Sequence, residues 1–140
     1  MSLFFSRCYS SASPLVKATS GSVGFDIKSF EHLILPVGKT VIVKTGIKVK
    51  PPEGTYVRIA SRSGLASQGI IVHGGVIDPD YTGEIKVILH NCSDRHFIIN
   101  KDMKIAQLIV EKAEFPELIE VEHIVDCSER GEKGFGSSGL

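Results

Sequence analysis

Short runs of aliphatic and β-branched residues, separated by glycine and proline, follow one another along most of this chain. The runs at 40–49, 55–60 and 105–110 are examples, with Pro36-Val37-Gly38 and Pro51-Pro52-Glu53-Gly54 forming turns. β-branched residues favour strands, whereas glycine and proline favour the turns that join them. No long stretch has the apolar period of an amphipathic helix. The pattern therefore predicts an all-β sandwich or barrel.

The segment 61–69 interrupts the strand pattern and is the one place where a helix is expected. Ser63 is predicted to cap a short helix and Gly69 to end it. Residues 10–24 are rich in serine, glycine and alanine and are expected to form a loop. Further strands are predicted at 3–9, 33–35, 70–72, 85–90, 96–100 and 118–125.

The chain has 140 residues and a hydrophobic fraction of 42%, which suits one globular domain with a sizeable core. We expect a single domain over 1–140, with a β-barrel core at 1–125 and a glycine-rich, flexible C-terminal arm at 126–140. Lysine plus arginine equals aspartate plus glutamate, at 16 each. This balance argues against broad electrostatic binding to nucleic acid or to a membrane.

The cysteines and the N-terminal residues bear on the cellular compartment of the protein. Three cysteines without a CxxC pair predict reduced thiols in a cytosolic or nuclear setting. Residues 3–11 carry arginine and serine but no acid, as a mitochondrial transit peptide does. Leu3, Phe5, Arg7 and Tyr9 also alternate as a strand would, and we favour the strand. No apolar run approaches the about 20 residues that span a bilayer.

The stretch 75–84 combines carboxylates with a tyrosine in a turn. It lies between the predicted strands at 70–72 and 85–90, so it predicts a β-hairpin with Asp78 and Tyr81 at its tip. A base and an aromatic ring would then lie beside exposed backbone. An ordinary acidic turn is the alternative.

Three polar residues elsewhere have both a structural and a functional interpretation. Asp26 follows a glycine-rich loop and could hold a metal through water or accept from nearby amides. Ser63, next to Arg62, could bind phosphate at a helix N-terminus or cap the helix. Gln107 lies in an apolar strand and needs either a ligand or a backbone partner.

The glycine-rich tail contains an arginine, an aromatic ring and hydroxyls. It is either a disordered terminus or an arm that closes over a ligand, with Arg130 and hydroxyls for phosphate and Phe135 for stacking on a base. No P-loop, GxSxG nucleophile or zinc spacing is present in the sequence.

Five segments together resemble the motifs of the homotrimeric dUTPase family (deoxyuridine 5′-triphosphate nucleotidohydrolases), in order and over essentially the whole chain. They are Gly24-Phe25-Asp26, Arg62-Ser63-Gly64-Leu65-Ala66, Gly75-Val76-Ile77-Asp78 with Asp80-Tyr81 and Gly83, Ile105-Ala106-Gln107-Leu108, and Arg130-Gly131 with Gly134-Phe135-Gly136-Ser137 and Gly139. The resemblance implies a jelly-roll or β-barrel subunit in a three-fold trimer with shared active sites. It also implies Mg²⁺-assisted hydrolysis of dUTP to dUMP and pyrophosphate, which limits uracil incorporation into DNA and supplies dUMP for dTMP synthesis.

The resemblance also implies roles for individual residues. Asp78 would be the base that activates water for attack on the α-phosphorus, and Tyr81 would pack against the deoxyribose. Asp26 would hold Mg²⁺ through water. The uracil base would meet Gly75, Lys86 and Ile88 through their backbone and Phe135 by stacking. The phosphates would meet Arg62, Ser63, Gly64, Gln107, Arg130, Gly136, Ser137 and Ser138.

Several positions depart from the family pattern. Asp102-Met103-Lys104 replaces Gly-Asp-Arg, which puts a turn and an ion pair in question. Ser61, Thr82, Ser138 and Phe25 replace the usual proline, arginine, threonine and tyrosine. Two alternatives remain: an enzyme of the same fold that acts on dCTP, and a nucleotide-bound interaction module. An intact Tyr81 argues against the first, and the presence of Asp78 and Phe135 argues against the second.

Overall fold

The computed structural model describes residues 1–125, 127–137 and 139, and antiparallel strands account for most of its regular structure. Ten strands and one helix are found in this part of the chain. In chain order they are β1 Phe4–Arg7, β2 Phe25–Lys28, β3 Leu33–Leu35, β4 Thr40–Lys50, β5 Thr55–Ala60, α1 Ser63–Ala66, β6 Ile70–His73, β7 Val76–Ile77, β8 Ile85–Asn91, β9 Phe97–Ile99 and β10 Lys104–Lys112. The predicted all-β class with one short helix is confirmed.

The strands form two four-stranded sheets and one two-stranded sheet. The first sheet has the order β1-β4-β8-β6, the second β2-β10-β5-β7, and the third pairs β3 with β9. All of these pairings are antiparallel. The chain therefore passes repeatedly between sheets, as jelly rolls and β-barrels do.

Alternation along the strands builds the core between the sheets. In β8, Ile85, Val87 and Leu89 are buried, whereas the residues between them are exposed or half-buried. A strand turns successive side chains to opposite faces, so one face enters the core. Burial of each such side chain contributes about 1.5–3 kcal/mol. The same core cluster includes residues from both large sheets and from β3 and β9.

The predicted hairpin is confirmed, but its tip makes an excursion that the sequence did not predict. β6 pairs with β8 from Ile70↔Asn91 to His73↔Ile88. The chain then leaves the first sheet through two glycines, and β7 pairs with β5 in the second sheet. Gly75 has a φ of 95°, and a Cβ there would overlap the carbonyl oxygen of Ile59. Only glycine fits this crossing.

Three predictions of local structure are wrong: the strand at 118–125, the cap at Ser63, and the helix end at Gly69, since α1 ends at Ala66 with Ser67 as its C-cap. Residues 118–125 do not form a strand: they are exposed, and Leu118 is 99% exposed. A strand needs a neighbouring strand for its backbone hydrogen bonds. The last strand in the described part of the chain, β10, ends at Lys112, and residues 118–125 pair with none of the strands. Ser63 is the first helical residue and not the cap. The N-cap is Arg62, with extended backbone and no capping bond from its side chain.

The N-terminal run forms β1, which pairs with β4 from Phe4↔Lys50 to Arg7↔Ile47. The strand interpretation of this run is therefore confirmed. Within the described part of the chain, no helix has the length and apolar character needed to cross a membrane.

Candidate functional site

Three of the predicted segments meet in one cleft, which we call the Asp26 cleft. It has a volume of about 340 Å³. It is lined by Ala18, Ser22, Val23, Gly24, Asp26, Arg62, Ser63, Gly64 and Gln107. The first, second and fourth motifs, which are far apart in sequence, thus share one concave surface. Every candidate phosphate contact outside the tail lies in this cleft, together with the candidate metal residue.

Asp26 is the buried carboxylate of this cleft. It lies on β2, is 8% exposed, and its Oδ1 is 3.2 Å from Nε of Arg62. Nζ of Lys104 lies 3.2 Å from Oδ2, but without the geometry of a hydrogen bond. Within the described residues, Oδ2 thus has a countercharge but no donor. A buried oxygen without a hydrogen-bond donor lowers the stability of the fold. Oδ2 is therefore suited to accept a hydrogen bond from an additional ligand such as a bound water.

Two neighbours, Ser61 and Gly24, fix the side chain of Gln107. Its Nε2 donates a 2.9 Å hydrogen bond to the carbonyl oxygen of Ser61, where β5 ends. Gly24 lies against the same side chain, and a Cβ there would overlap Oε1 of Gln107. Of the two partners that the sequence left open, a ligand or the backbone, Gln107 has a backbone partner, Ser61. The amide oxygen faces the glycine of the first motif.

Arg62 and the first turn of α1 form the basic side of the cleft. The guanidinium donates to the carbonyl oxygen of Lys104 at 3.3 Å through Nη1, while Nε faces Asp26. Ser63 and Gly64 are exposed and follow a cap without a side-chain hydrogen bond. N–H groups at such a turn suit an anion, as does the neighbouring arginine.

The third motif and the outer face of β8 form a second cleft, which we call the Tyr81 cleft. Its volume is about 230 Å³. It is lined by Ile42, Val76, Ile77, Asp78, Tyr81, Glu84, Lys86 and Ile88. Four of the predicted residues therefore meet here, and Gly75 directly precedes β7, which supplies Val76 and Ile77. The two clefts have no lining residue in common.

The Tyr81 ring is held by its immediate neighbours. Its hydroxyl donates a 2.8 Å hydrogen bond to the carbonyl oxygen of Glu84. Gly83 lies under the ring, since a Cβ there would be 2.5 Å from the hydroxyl oxygen. Asp78 accepts from the N–H of Tyr81 at 3.0 Å through its backbone, which closes the turn. The Asp78 side chain remains exposed.

The first sheet opens beside this cleft. β6 ends at His73, opposite Ile88, and the chain turns away to the second sheet. β8 continues beyond this point to Ile85, where its other edge still pairs with β4. The edge of β8 that faced β6 therefore loses its partner strand just where Lys86 enters the cleft. Unpaired strand edges offer fixed backbone donors and acceptors to a ligand.

The described tail residues line neither cleft. Nε of Arg130 donates to the carbonyl oxygen of Lys133 at 2.7 Å, and the N–H of Gly134 donates to Oγ of Ser137 at 2.6 Å. Phe135 is fully exposed, and both Phe135 and Gly136 have positive φ. Ser138 lies outside the described residues. The single chain thus does not bring the fifth motif to the other four.

The altered fourth motif keeps both features that its sequence put in question. Asp102 has a φ of 70°, the left-handed conformation that glycine adopts most easily. Its N–H donates to the carbonyl oxygen of Ser29 at 2.7 Å, and the turn remains intact. Lys104 supplies a cation to Asp26. The turn and the ion pair therefore survive the replacement of Gly-Asp-Arg.

Two residues of the site were not singled out from the sequence. Lys104 lies beside Asp26, and Glu84 lines the Tyr81 cleft. Lys104 had a signal, because it stands at the family's arginine position. Glu84 closes the stretch 75–84, whose carboxylates drew attention to it, but nothing in that stretch distinguished Glu84 from the other acids.

Two carboxylates with a lowered pKa lie away from both clefts. A hydrogen bond from Ser13, followed by one from Lys101, lowers the pKa of Asp102. Hydrogen bonds from Tyr56 and Arg58 lower the pKa of Glu111. Asp102 joins the N-terminal loop to the turn before β10, and Glu111 joins β10 to β5. These groups support the sheets and do not point to a second site.

Comparison with known proteins agrees with this geometry. The model of the dUTPase family matches residues 11–139. The deoxyuridine 5′-triphosphate nucleotidohydrolase of Paramecium bursaria Chlorella virus 1 is 44% identical over 140 residues, covering 99% of each chain. The protein of the same name from Fowl adenovirus A serotype 1 is 42% identical over 139 residues, covering 99% of this chain and 78% of the viral one.

A solved structure agrees over the same extent. The dUTPase of Staphylococcus bacteriophage 80alpha, determined with dUPNHPP, superposes with a TM-score of 0.91 at 29% identity, covering 99% of each chain. Sequence similarity and structural similarity therefore both indicate the dUTPase family over 99% of the chain.

Proposed function

This chain belongs to the dUTPase family, and on that premise we propose that it hydrolyses dUTP to dUMP and pyrophosphate in active sites shared between subunits. The observation that carries the proposal is the presence of two complementary clefts. One is cationic at its rim and offers backbone N–H groups, and the other has an open sheet edge beside a tyrosine. A nucleoside triphosphate has both kinds of surface.

The Asp26 cleft binds the phosphates. Arg62 is fixed by Asp26 through Nε, so its remaining N–H groups are oriented for an anion. Ser63 and Gly64 add N–H groups at the first turn of α1, and the amide of Gln107 completes the set. Phosphoryl transfer depends chiefly on such positioning and charge neutralisation.

The Tyr81 cleft reads the base and the sugar. The edge of β8 at Lys86 and Ile88, where β6 departs, presents rigid peptide groups to uracil. Uracil and cytosine differ by exchange of an acceptor for a donor, and a fixed peptide group left unpaired costs about 1–3 kcal/mol. Gly75 precedes the opposite wall of the cleft, formed by β7. Because it has no side chain, its backbone can lie against the carbonyl oxygen of Ile59. Tyr81 then packs against deoxyribose and leaves no room for a 2′-hydroxyl.

Asp78 acts as the general base. It is an exposed carboxylate at the end of β7, in the cleft that holds the sugar. It accepts a proton from the water that attacks the α-phosphorus, a contribution of about 10²–10⁴-fold in rate. The bond from the α-phosphorus to the bridging oxygen breaks, pyrophosphate leaves, and dUMP remains.

The residues of the Asp26 cleft fit a magnesium ion carried by the triphosphate. Oδ2 of Asp26 is buried and has no hydrogen-bond donor among the described residues, so it can accept from a metal-bound water. Mg²⁺ keeps several waters and binds chiefly through phosphates, and one carboxylate then suffices. When bound, the ion neutralises developing phosphate charge. No cluster of three or more candidate metal ligands occurs among residues 1–125, 127–137 and 139.

A homotrimer explains why one chain is incomplete. The two clefts have no residue in common, and no tail residue among 127–137 and 139 lines either of them. We assign the Asp26 cleft and the Tyr81 cleft of one site to different subunits, and the arm at 126–140 to closing it. Arg130, Gly136, Ser137 and Ser138 then contact the γ-phosphate, and Phe135 stacks on uracil. Its full exposure in the isolated chain supports this role.

The expected physiological result is less uracil in DNA and a supply of dUMP for dTMP synthesis. We place the enzyme in a cytosolic or nuclear setting, in agreement with the free thiols of Cys8, Cys92 and Cys127.

The test is pyrophosphate release from dUTP, dCTP, UTP and dTTP, each with and without Mg²⁺. Release from dUTP alone, and only with Mg²⁺, is the expected result. Release from dCTP at a comparable rate would show instead that the base is not selected by the β8 edge. Binding of dUTP without release of pyrophosphate would favour an interaction module.

A further inference from the structure

The longest strand, β4, is interrupted by a bulge next to the pair of Lys44 with Lys86, and Lys86 lines the Tyr81 cleft. Lys44 pairs with Lys86, and the next pair is Ile47 with Ile85, so Thr45 and Gly46 are two extra residues in β4. Such a bulge leaves backbone groups outside the ladder, and these need other partners.

The carboxylate of Glu84 supplies one of these partners. The N–H of Gly46 donates a 2.8 Å hydrogen bond to Oε1 of Glu84, in a half-buried place. The hydroxyl of Thr45 donates to the carbonyl oxygen of Ile85 at 2.5 Å. Both bonds join the bulge to the residues at which β8 begins. A hydrogen bond to a carboxylate is about twice as strong as one between neutral groups.

The bulge is also fixed from its other side. Gly46 has a φ of 71°, and a Cβ there would lie only 2.7 Å from Cβ of Ala12, which is buried. The carbonyl oxygen of Gly46 accepts from the N–H of Cys8 at 2.8 Å. Packing of the N-terminal segment thus holds Gly46 in place, so Glu84 is bound to a rigid support.

The backbone of Glu84 performs a second task. Its carbonyl oxygen accepts the hydroxyl of Tyr81 at 2.8 Å, and the ring lies over Gly83. One residue therefore connects the bulge in β4, through its side chain, to the tyrosine, through its backbone. The sugar-facing ring is fixed relative to β4 and not only to its own loop.

We propose that Glu84 is a positioning residue for Tyr81 and thereby determines how strongly the enzyme rejects ribonucleotides. This inference rests on the proposed function, because it requires the ring to pack against the sugar. Without the carboxylate, the N–H of Gly46 loses its partner, and Glu84 is no longer bound to the bulge; Thr45 and Ile85 remain joined. The ring then gains room, and a 2′-hydroxyl fits more easily.

The experiment measures kcat/KM for dUTP and for UTP with the full-length protein. Crowding of an added hydroxyl discriminates by about a hundredfold. Glu84→Ala is expected to lower the preference for dUTP over UTP about tenfold. Glu84→Gln is expected to keep the preference within about twofold of the wild type, because its side-chain oxygen accepts the same N–H. Glu53→Ala, at an exposed turn, is the matched control.

The outcomes separate this inference from the proposed function. A wild-type protein that does not hydrolyse dUTP overturns the proposed function, and the inference with it. A selective wild type with an equally selective Glu84→Ala variant overturns the inference alone, as does a Glu84→Gln variant that is no better than Glu84→Ala.

Should Glu84→Ala fail to fold, Tyr81→Phe replaces it in the test. This variant removes only the hydroxyl that contacts Glu84 and keeps the ring. A loss of selectivity of about threefold or more supports the inference, and unchanged selectivity overturns it.

Discussion

The side-chain amide of Gln107, on β10, donates a 2.9 Å hydrogen bond to the carbonyl oxygen of Ser61, at the end of β5. The two strands are neighbours in the second sheet, and Gln107 lies opposite both Ala60 and Asp26 in the strand register. One side chain thus contacts both Gly24, just before β2, and Ser61, just before Arg62. Gln107 also lines the Asp26 cleft, so a change in its orientation changes the wall of that cleft.

Gly24→Ala is expected to damage activity through Gln107. The new Cβ would overlap the amide oxygen and lie 3.0 Å from Cβ of Gln107, so the side chain must move. We expect kcat/KM for dUTP to fall at least about tenfold, with a stability loss of about 1–3 kcal/mol typical of overpacking. Steady-state kinetics and urea unfolding measure the two effects. Gly21→Ala is the matched control, because nothing lies within 4 Å of its Cβ position.

Asp78→Asn is expected to abolish turnover and leave dUTP binding nearly unchanged. The amide has the shape of the carboxylate but is not a base, so kcat should fall about 10²–10⁴-fold. Pyrophosphate release and calorimetric titration with dUTP measure the two quantities. Asp94→Asn, at a side chain that is 93% exposed, should match the wild type. Near-normal turnover in Asp78→Asn would show that the base is another group.

Deletion of residues 130–140 is expected to disable catalysis and spare folding. The hydrogen bonds of Arg130 and Gly134 stay within the tail, so the sheets lose no partner in the described residues. We expect kcat/KM to fall at least about a hundredfold and Tm to change by less than about 2 °C, since the arm acts by closing the site. A large drop in Tm would instead give the tail a structural role.

Ser13→Ala is expected to weaken the protein near neutral pH and to matter less in acid. Oγ of Ser13 donates to Oδ1 of Asp102 at 2.6 Å, and this bond is the main cause of the lowered pKa of Asp102. A lowered pKa stabilises the fold above the ordinary value of 3.8, and this contribution disappears as the pH falls through the folded pKa.

The measurement for this prediction is the Tm of both proteins between pH 7 and pH 3. The wild type should have the higher Tm from neutral pH down to about pH 4, and the difference should narrow below that. Ser11→Ala, a similar change two residues earlier, should follow the wild type throughout. A Tm difference that stays constant with pH would mean that Ser13 acts by packing and not through Asp102.

Sequence patterns predicted the strands best where burial alternates. The run at 55–60 became β5 with the predicted bounds, because its alternate side chains enter the core. The same reasoning failed for 118–125, where apolar residues have no partner strand among the described residues. Local composition indicates whether a segment tends to form a strand, but whether a partner strand is available depends on the whole fold.

Prediction of the candidate site reached the residues but not their connections. The two strands of the hairpin, β6 and β8, stay together in the first sheet, whereas β7 between them pairs with β5 in the second sheet. No local pattern encodes that pairing. The contact of Glu84 with Gly46 bridges 38 positions and depends on a bulge. At Asp102 the sequence was misleading in the other direction. The family has glycine there, but Asp102 adopts the same left-handed conformation, so the turn is kept although the residue differs.

The proposed assignment of the two clefts of one site to different subunits has a consequence for mixed assemblies. Chains with Asp78→Asn keep an intact Asp26 cleft, and chains with Arg62→Ala keep an intact Tyr81 cleft. Each population alone should be inactive. After the two are unfolded and refolded together, some interfaces should unite the two undamaged halves, and activity should return by complementation between two defective chains.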